Sequence, residues 1–347
     1  MLSVQINSIC RSKMVGLNAF KAFLIEEHEG KTRAGFVDFT ADRLDRGGVV
    51  VRVAYSSVNY KDALAATGTG RVVRRYPCIG GIDLSGVVES SDDPRYTPGD
   101  AVVATGYDLG VAHHGGYAEF ARLPADWLHP LPSGLTLFDA MALGTAGFTA
   151  ALGILRMEEN GLRPENGPVI VSGATGGVGS LAVDMLAQAG YQVTALTGKA
   201  SSADFLYGLG AAHVLLRSDL DLSRIRPLDK AQWAGAVDNL GGDVLAWIAS
   251  GMSNGGTIAS IGLAASHTLN TTVMPFILRG VSLLGIDSSQ ASHACRERVW
   301  ARLGGDLHPR HLVLLSRRVP FGELPDVFDS FIQGRSQGRL VVEVGGV

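Results

Sequence analysis

The first third of the chain consists of short apolar runs separated by turn-forming residues. Residues 49–53 and 101–104 are β-branched or small, whereas residues 45–48 and 98–100 have the Asp, Gly and Pro content of tight turns. No long amphipathic helix interrupts this region. The pattern predicts a compact, mostly β domain over residues 19–131.

A different pattern begins after residue 131. Residues 138–155 have a helical pattern, and a glycine-rich loop then joins a predicted strand at 168–171 to a predicted helix at 178–189. Apolar residues recur on one face of that helix, and Gly190 is a typical helix stop.

The pattern then alternates between strands and helices. Predicted helices cover residues 202–209 and 244–250, and the tail returns to β character at 340–344. This alternation is typical of an α/β fold with a doubly wound parallel sheet. The predicted strands of that sheet are residues 192–196, 213–216, 235–238, 257–261 and 282–286.

Composition narrows the class of protein and of partner. A chain of 347 residues favours two domains, and its net charge of −3 offers no general attraction to nucleic acid or anionic lipid. No run approaches the roughly 20 uninterrupted apolar residues of a membrane helix. Residues 1–18 lack the organisation of a signal peptide and are expected to be an N-terminal extension. The widely spaced Cys10, Cys78 and Cys295 predict a reducing, cytoplasmic environment without disulfides.

The loop at residues 173–179 has the glycine spacing of a dinucleotide-binding turn. Glycine permits the sharp turn and the close approach of a pyrophosphate, and the N-terminus of the following helix favours anions. The position between a predicted strand and a predicted helix separates this motif from a purely structural turn. The candidate cofactor-binding residues are Gly173, Thr175, Gly176, Gly177, Val178 and Gly179.

The end of the second strand indicates which nucleotide is bound. An enzyme that uses NAD usually has Asp or Glu about 20 residues beyond the loop, to bind the ribose 2′-hydroxyl. This chain has Thr197, Gly198 and Lys199 there, and Arg217 follows the next predicted strand. These cations suit a 2′-phosphate, so NADPH is the expected cofactor, although Lys199 can also be read as a solvated turn lysine.

Several segments, in this order, resemble one known family. They are NYKDALA at 59–65, GIDLSG at 81–86, PGD at 98–100, GTAGFTA at 144–150, SGATGGVG at 172–179 and TTVMPFILRGVSLLGIDS at 271–288. Together they resemble the quinone-oxidoreductase-like branch of the medium-chain dehydrogenases/reductases. More narrowly, they are similar to the NADPH-dependent acryloyl-CoA reductases.

This resemblance implies a fold and a set of contacts. A GroES-like catalytic domain would comprise residues 19–131, completed by 306–347, with a Rossmann domain at 132–305 and the cofactor in the cleft between them. Relatives are commonly homodimers or homotetramers. The cofactor contacts that it implies are Tyr60, Thr175 to Val178, Thr197 to Lys199, Arg217, Leu263, Ile277 and Ser288.

The chain departs from the zinc-dependent members of the superfamily. Those have a cysteine near Asn59 and a His–Glu pair where this chain has Ile82 and Asp83. Asn59 and Ile82 cannot replace a thiolate and an imidazole as zinc ligands. The histidine pairs His113–His114 and His308–His311 are expected to be loop residues. No metal is expected.

Without a metal to polarise a carbonyl, we expect a conjugated double bond to be the hydride acceptor. The predicted reaction reduces acryloyl-CoA to propanoyl-CoA, with hydride added at the β-carbon and a proton at the α-carbon. Tyr60 is the candidate for delivering that proton or for orienting the water that delivers it, unless it is a core aromatic. Asn59 is the candidate for holding the substrate carbonyl or the ribose, unless it serves only the turn. Lys61 and Asp62 are expected to form a local ion pair that fixes the turn.

The substrate also requires cations if it is a CoA thioester. Arg71, Arg74 and Arg75 lie within five residues of one another and suit phosphate groups, although a solvated charged loop has the same composition. An NADPH:quinone or enone oxidoreductase is the nearest alternative function. A non-catalytic NADPH-binding protein is the alternative from another class.

Overall fold

The computed structural model describes residues 19–345, and the predicted extension at residues 1–18 lies outside them. The strands are β1 Phe20–His28, β2 Lys31–Phe39, β3 Val49–Val58, β4 Cys78–Ile79, β5 Asp83–Ser91, β6 Ala101–Thr105, β7 Phe120–Leu123, β8 His129–Pro130, β9 Val169–Ser172, β10 Val193–Thr197, β11 His213–Leu216, β12 Trp233–Asp238, β13 Met252–Ser260, β14 Ser282–Gly285, β15 Ser316–Pro320 and β16 Arg339–Glu343. The helices are α1 Tyr60–Thr67, α2 Leu137–Glu159, α3 Gly177–Gln188, α4 Ala203–Gly208, α5 Gly242–Ser250, α6 Met274–Arg279, α7 His293–Leu303, α8 Leu312–Leu315 and α9 Leu324–Ile332.

The first unit is mostly β. It contains the described residues up to Thr145, the segment Ser289–Glu297 and the described residues from Ser316 onward. One sheet has the order β15-β16-β3-β5-β6-β8, with β7 also paired to β3, and a second sheet has the order β2-β1-β4. The central strand β3 buries its valines because neighbouring strands flank it, as expected for a β-branched run in the middle of a sheet.

The second unit contains Ala146–Ser288 and Arg298–Leu315 around a six-stranded sheet. The strand order is β11-β10-β9-β12-β13-β14, and every neighbouring pair is parallel. Along the chain of this unit the order is third, second, first, fourth, fifth, sixth, which is that of the dinucleotide-binding doubly wound fold. The predicted fold class is confirmed. Ligands of such sheets bind where the strand order reverses, here beside the carboxyl ends of β9 and β12.

The boundaries between the units differ from the predicted ones. The first unit extends past residue 131 to Thr145, because Ser85 donates a hydrogen bond to the Leu137 carbonyl and Arg339 donates one to the Ala142 carbonyl. Residues 306–315, predicted to complete the first domain, belong to the second unit. There the backbone N–H of His311 donates to the Asp184 carboxylate at 2.9 Å.

Helix α2 contains a sharp break. Gly144 has φ 50° and ψ −153°, outside the helical region, so the predicted helix at 138–155 is in fact two helical segments. Among the described residues α2 alone has the length and apolar composition of a membrane span, but 78% of that apolar window is buried within the protein. Burial to this extent is typical of a core helix.

Candidate active site

The glycine loop lies at the carboxyl end of β9. Gly173 turns with φ 59°, and Gly176 is the N-cap of α3. A Cβ at Gly179 would lie 2.3 Å from the Gly173 carbonyl oxygen, so this position requires glycine for the helix to pack on the turn. Thr175 is buried, whereas Val178 is half-buried.

This geometry suits an anion. The first N–H groups of a helix have no acceptor within the helix, and they lie at its positive end. A Cβ at Gly176 would have only the Gly173 oxygen near it, at 3.4 Å, so the outer side of the loop is open. The residues of the loop therefore fit the pyrophosphate of a dinucleotide.

Two polar residues that the sequence analysis missed support the loop. The buried Asp238 ends β12 and accepts hydrogen bonds from the Ser172 hydroxyl at 2.7 Å and from the Gly241 N–H at 2.8 Å. Burial raises the pKa of this carboxyl. Asn239 donates from its side chain to the Ser172 carbonyl at 2.7 Å. The signal in the sequence was a polar pair at the end of a predicted strand.

The residues predicted to select the nucleotide meet at the ends of two neighbouring strands. Thr197 and Leu216 are register partners in β10 and β11, so Lys199 and Arg217 follow adjacent strand ends. The Lys199 N–H donates to the Thr197 hydroxyl at 3.0 Å. The Lys199 side chain is partly buried, which lowers its pKa, and Arg217 is exposed. Gly198, between Thr197 and Lys199, is exposed.

The three other predicted cofactor contacts of the second unit lie on three different segments. Leu263 follows β13 and Ser288 follows β14, so both lie beyond the same carboxyl edge of the sheet as the glycine loop. The Ser288 hydroxyl accepts a hydrogen bond from Thr149 at 2.8 Å. Ile277 lies within α6, before β14. Leu263 is 67% exposed and Ile277 is 72% exposed.

In the first unit, Tyr60 is the first residue of α1 and is 49% exposed. This exposure is incompatible with the alternative reading of Tyr60 as a core aromatic. Asn59 is the N-cap of the same helix, and its amide is engaged internally. Its nitrogen donates to Asp83 at 3.0 Å and to Asp62 at 3.1 Å, and its oxygen accepts from Arg339 at 3.2 Å.

These contacts belong to a buried group of polar and charged side chains that we call the Arg339 cluster. Its members are Ser57, Asn59, Asp62, Asp83 and Arg339, and each is less than a tenth exposed. The Asp83 carboxylate accepts from the Ser57 hydroxyl at 2.8 and 2.9 Å, and Arg339 donates to that hydroxyl at 2.6 Å.

The predicted ion pair between Lys61 and Asp62 is wrong. Lys61 is exposed, whereas the Asp62 carboxylate points inward and accepts from the backbone N–H groups of Asn59 and Ile82 at 2.9 and 3.0 Å. Consecutive helical residues do not face each other, so a buried Asp62 cannot share its environment with Lys61. Burial, reinforced by the nearby Asp83, raises the pKa of Asp62 to about 7.

The arginine cluster is partly engaged within the protein. Arg74 forms an ion pair with Asp108, and Arg75 forms one with Asp45. Arg71 is exposed and has no ion pair among the described residues. Two of the three predicted phosphate contacts therefore already have a carboxylate partner.

The place where zinc-dependent relatives hold a metal does not fit one here. No group of three or more His, Cys, Asp or Glu side chains in residues 19–345 could hold a metal ion. Asn59 donates instead to Ser57, and Ser57 donates to Asp83, beside the Arg339 guanidinium. A buried guanidinium opposes a divalent cation by charge repulsion.

Two family profiles match the chain. The alcohol dehydrogenase GroES-like domain matches residues 45–133, and the zinc-binding dehydrogenase profile matches residues 177–303. The first match lies in the first unit. The second match begins inside the glycine loop and covers most of the parallel sheet.

Individual proteins match over nearly the whole chain. YhfP of Bacillus subtilis, provisionally named a quinone oxidoreductase, is 47% identical over 94% of this chain and 99% of its own length, and its crystal structure with NAD bound superposes with a TM-score of 0.92. Acrylyl-CoA reductase AcuI of Ruegeria pomeroyi is 46% identical over 94% of this chain and 99% of its own. The crystal structure of E. coli K-12 YhdH with bound NADPH is 45% identical, covers 93% of this chain and all of its own, and gives a TM-score of 0.90. The chain therefore belongs to the quinone-oxidoreductase-like branch of the medium-chain dehydrogenases/reductases.

Proposed function

We propose that the protein is an NADPH-dependent reductase of the carbon–carbon double bond of acryloyl-CoA, with propanoyl-CoA as the product. The observation that carries this proposal is the 46% identity with acrylyl-CoA reductase AcuI over 94% of the chain. The glycine loop and the cations Lys199 and Arg217 support the choice of a 2′-phosphorylated dinucleotide. The segment that contains Lys199, at the end of β10, has no carboxylate that would repel such a phosphate.

Each residue has a defined task in this proposal. The N–H groups at the start of α3 bind the pyrophosphate, and Lys199 and Arg217 bind the 2′-phosphate. When bound, the nucleotide supplies the hydride that adds to the β-carbon of the substrate. The hydroxyl of the half-exposed Tyr60 donates the proton to the α-carbon, directly or through one water molecule. Asn59 acts indirectly, because its amide is committed to the Arg339 cluster.

We infer that Arg71 is the first candidate for the phosphates of CoA. Arg74 and Arg75 already pair with Asp108 and Asp45, so a phosphate must compete with those carboxylates. Arg71→Gln is expected to raise KM for acryloyl-CoA without changing kcat. The matched control is Arg71→Lys, which keeps the charge, and an unchanged KM in Arg71→Gln would remove Arg71 from the substrate site.

A quinone or enone reductase is the second candidate, because YhfP is similar to the same extent over the same share of the chain. The test is a side-by-side assay of NADPH and NADH with acryloyl-CoA, crotonyl-CoA and 1,4-benzoquinone. We expect the highest kcat/KM for the pair NADPH and acryloyl-CoA. Turnover of benzoquinone alone would favour the second candidate, and nucleotide binding without turnover of any acceptor would favour a non-catalytic protein.

We propose further that the protein is a homodimer or a dimer of dimers. The strand β14 is an edge of the parallel sheet, with backbone groups available for pairing. The same unit exposes a set of large apolar side chains close to β14 in sequence, namely Val273, Met274, Leu278 and Leu283. An apolar edge of this kind suits a self-complementary interface between identical copies. Light scattering coupled to size exclusion tests it, and a mass of 36 kDa would contradict it.

The cytoplasm is the expected location. Cys78 and Cys295 are free thiols, as expected in a reducing compartment. Burial raises the pKa of Cys78 to about 12, so this thiol stays protonated at neutral pH.

A further inference from the structure

The Arg339 cluster links segments that lie far apart in the chain. Its members come from the end of β3, the N-terminus of α1, the start of β5 and strand β16. The backbone N–H of Thr145 adds a further bond to Asp83, at 2.9 Å. Replacing buried charges of this kind with apolar groups is often neutral or stabilising, so stability alone does not account for the cluster.

Asp62 fixes the first turn of α1 from two sides. One carboxylate oxygen accepts from the backbone N–H of Asn59 at 2.9 Å and from its side chain at 3.1 Å. The other accepts from the backbone N–H of Ile82 at 3.0 Å, next to the start of β5. Tyr60 lies between Asn59 and Asp62 in the sequence, so its backbone is held while its side chain remains half exposed.

Arg339 and Asp83 orient Asn59 in turn. The guanidinium donates to the Asn59 amide oxygen at 3.2 Å, and the amide nitrogen donates to Asp83 at 3.0 Å. The two contacts leave only one orientation of the amide. Gly144 closes the cluster, because a Cβ there would lie 2.7 Å from the Asp83 carboxylate and 2.8 Å from the Arg339 guanidinium.

We propose that Asp62, Asp83 and Arg339 are positioning residues of the reductase, which act through Asn59 to hold the first turn of α1 and so fix the place of the Tyr60 hydroxyl. The identity of the substrate in this inference rests on the proposed function, whereas the geometry does not. A side chain that must deliver a proton is effective only when it is held close to the productive position.

The charge of Asp62 supports this role. Asp83, Arg339 and Tyr117 are the charged or titratable groups that act on it from the neighbouring segments. The pKa of Asp62 is raised to about 7 by burial and by Asp83. Protonation weakens the bonds that Asp62 accepts from Asn59 and Ile82, so we expect kcat to decrease as the pH falls below about 7.

The experiment compares Asp62→Asn and Arg339→Lys with Arg296→Lys. Arg296 is the matched control, because it is an equally buried arginine that donates to Thr105, Ser289 and Ala291 and stacks on Tyr107, all of which are outside the cluster. For each protein, kcat and KM for acryloyl-CoA are measured from pH 5.5 to 8.5, together with Tm and the Kd for NADPH. Asp62→Asn is expected to lower kcat about tenfold or more, to remove the pH step near 7 and to change the Kd for NADPH by a smaller factor than kcat.

Two outcomes overturn the proposal. One is a folded Asp62→Asn protein with the wild-type kcat and pH profile. The other is an equal loss of kcat in Arg339→Lys and in Arg296→Lys, which would mean that both arginines act on the fold alone.

A measurement on the wild-type protein tests the proposal even if the variants do not fold. It also separates this inference from the proposed function. Hydrogen exchange of the backbone amides of α1, corrected for intrinsic rates, is compared at pH 6 and pH 8, with α5 as the internal reference. Opening of α1 that exposes Asp62 returns its raised pKa to the ordinary value and releases a proton, so we expect higher protection of α1 at pH 6 than at pH 8. Equal protection at both pH values would contradict the role of Asp62. If the wild type does not reduce acryloyl-CoA, the proposed function is wrong. The exchange result still tests whether Asp62 holds the first turn of α1.

Discussion

The glycine loop of the second unit and the Arg339 cluster of the first unit stabilise charge with different groups, the backbone in the loop and side chains in the cluster. The loop uses backbone N–H groups from one run of seven residues, at the N-terminus of α3. The cluster uses side chains, and Arg339 and Ser57, which bond each other, are 282 residues apart. A site built from backbone is readable from a short motif, whereas a site built from distant side chains is visible only after folding.

The two regions should also fail differently when they are altered. A change in the loop disturbs the approach of a ligand, because the loop is open on its outer side. A change in the cluster leaves a buried charge without its partner, which affects the fold first. The following predictions test this contrast, from the largest expected effect to the smallest.

Removing the cation from the cluster should have the largest effect. Arg339→Met leaves Asp83 and Asp62 buried without their cation, so we expect a loss of about 3–5 kcal/mol in the free energy of unfolding. Urea unfolding followed by circular dichroism measures it. The control is Arg318→Met, whose side chain is exposed beside Glu343 and should cost no more than about 1 kcal/mol. Equal losses in the free energy of unfolding of the two variants would contradict the claim that the burial of Arg339 makes its removal costly.

Gly179→Ala should damage nucleotide binding as well as folding. The added Cβ would lie 2.3 Å from the Gly173 oxygen, so the loop must shift away from α3. Overpacking of this kind costs about 1–3 kcal/mol, and we expect the Kd for NADPH to rise about tenfold to a hundredfold. Gly208→Ala is the control, because a Cβ there has nothing within 4 Å. A Gly179→Ala protein with wild-type affinity would show that the loop does not hold the nucleotide.

Lys199→Ala should reduce the preference for the phosphorylated nucleotide. The loss of one cation from the 2′-phosphate is expected to lower the ratio of NADPH to NADH affinity by about tenfold, with little change for NADH itself. Fluorescence titration with both nucleotides measures the ratio. Lys230→Ala, an exposed lysine, is the control. An unchanged ratio would mean that Lys199 is only a turn residue.

A separate expectation is a pair of opposite pH dependences in the first unit. The pKa of Asp62 is about 7 in the folded protein against 3.8 as its ordinary value, so its contribution to stability is complete below about pH 4 and is lost as the pH rises through 7. Burial lowers the pKa of His129 to about 3 from 6.5, so its contribution is present above pH 6.5 and is lost as the pH falls.

Unfolding free energies of the wild type, Asp62→Asn and His129→Gln between pH 5 and 7.5 separate the two groups. The stability of the wild type relative to Asp62→Asn should decrease as the pH rises, and relative to His129→Gln it should increase. Parallel curves for all three proteins would contradict both assignments.

Local patterns predicted the second unit well for a physical reason. The strand at 213–216 coincides with β11, and the helix at 178–189 differs from α3 by one residue at each end. Helical and strand periodicities are properties of consecutive residues, so a single sequence carries them. The parallel order of the strands follows from the alternation of strands and helices.

What the sequence could not show depends on contacts between distant segments. The bond between Asp62 and the Ile82 N–H, and the break at Gly144 that accommodates Asp83 and Arg339, have no local signature. The ion pair predicted between Lys61 and Asp62 was wrong because adjacency in sequence was taken as adjacency in space. The 8-residue helix α1 was too short to stand out in a β-rich region.

The most direct test of the account follows the hydride itself. The protein is incubated with acryloyl-CoA and NADPH deuterated at both hydrogens of the nicotinamide C4, and the propanoyl-CoA formed is analysed by mass spectrometry. The account predicts one deuterium at the β-carbon and none at the α-carbon, with one NADPH consumed for each product. Deuterium at the α-carbon, or no consumption of NADPH with this substrate, would contradict it.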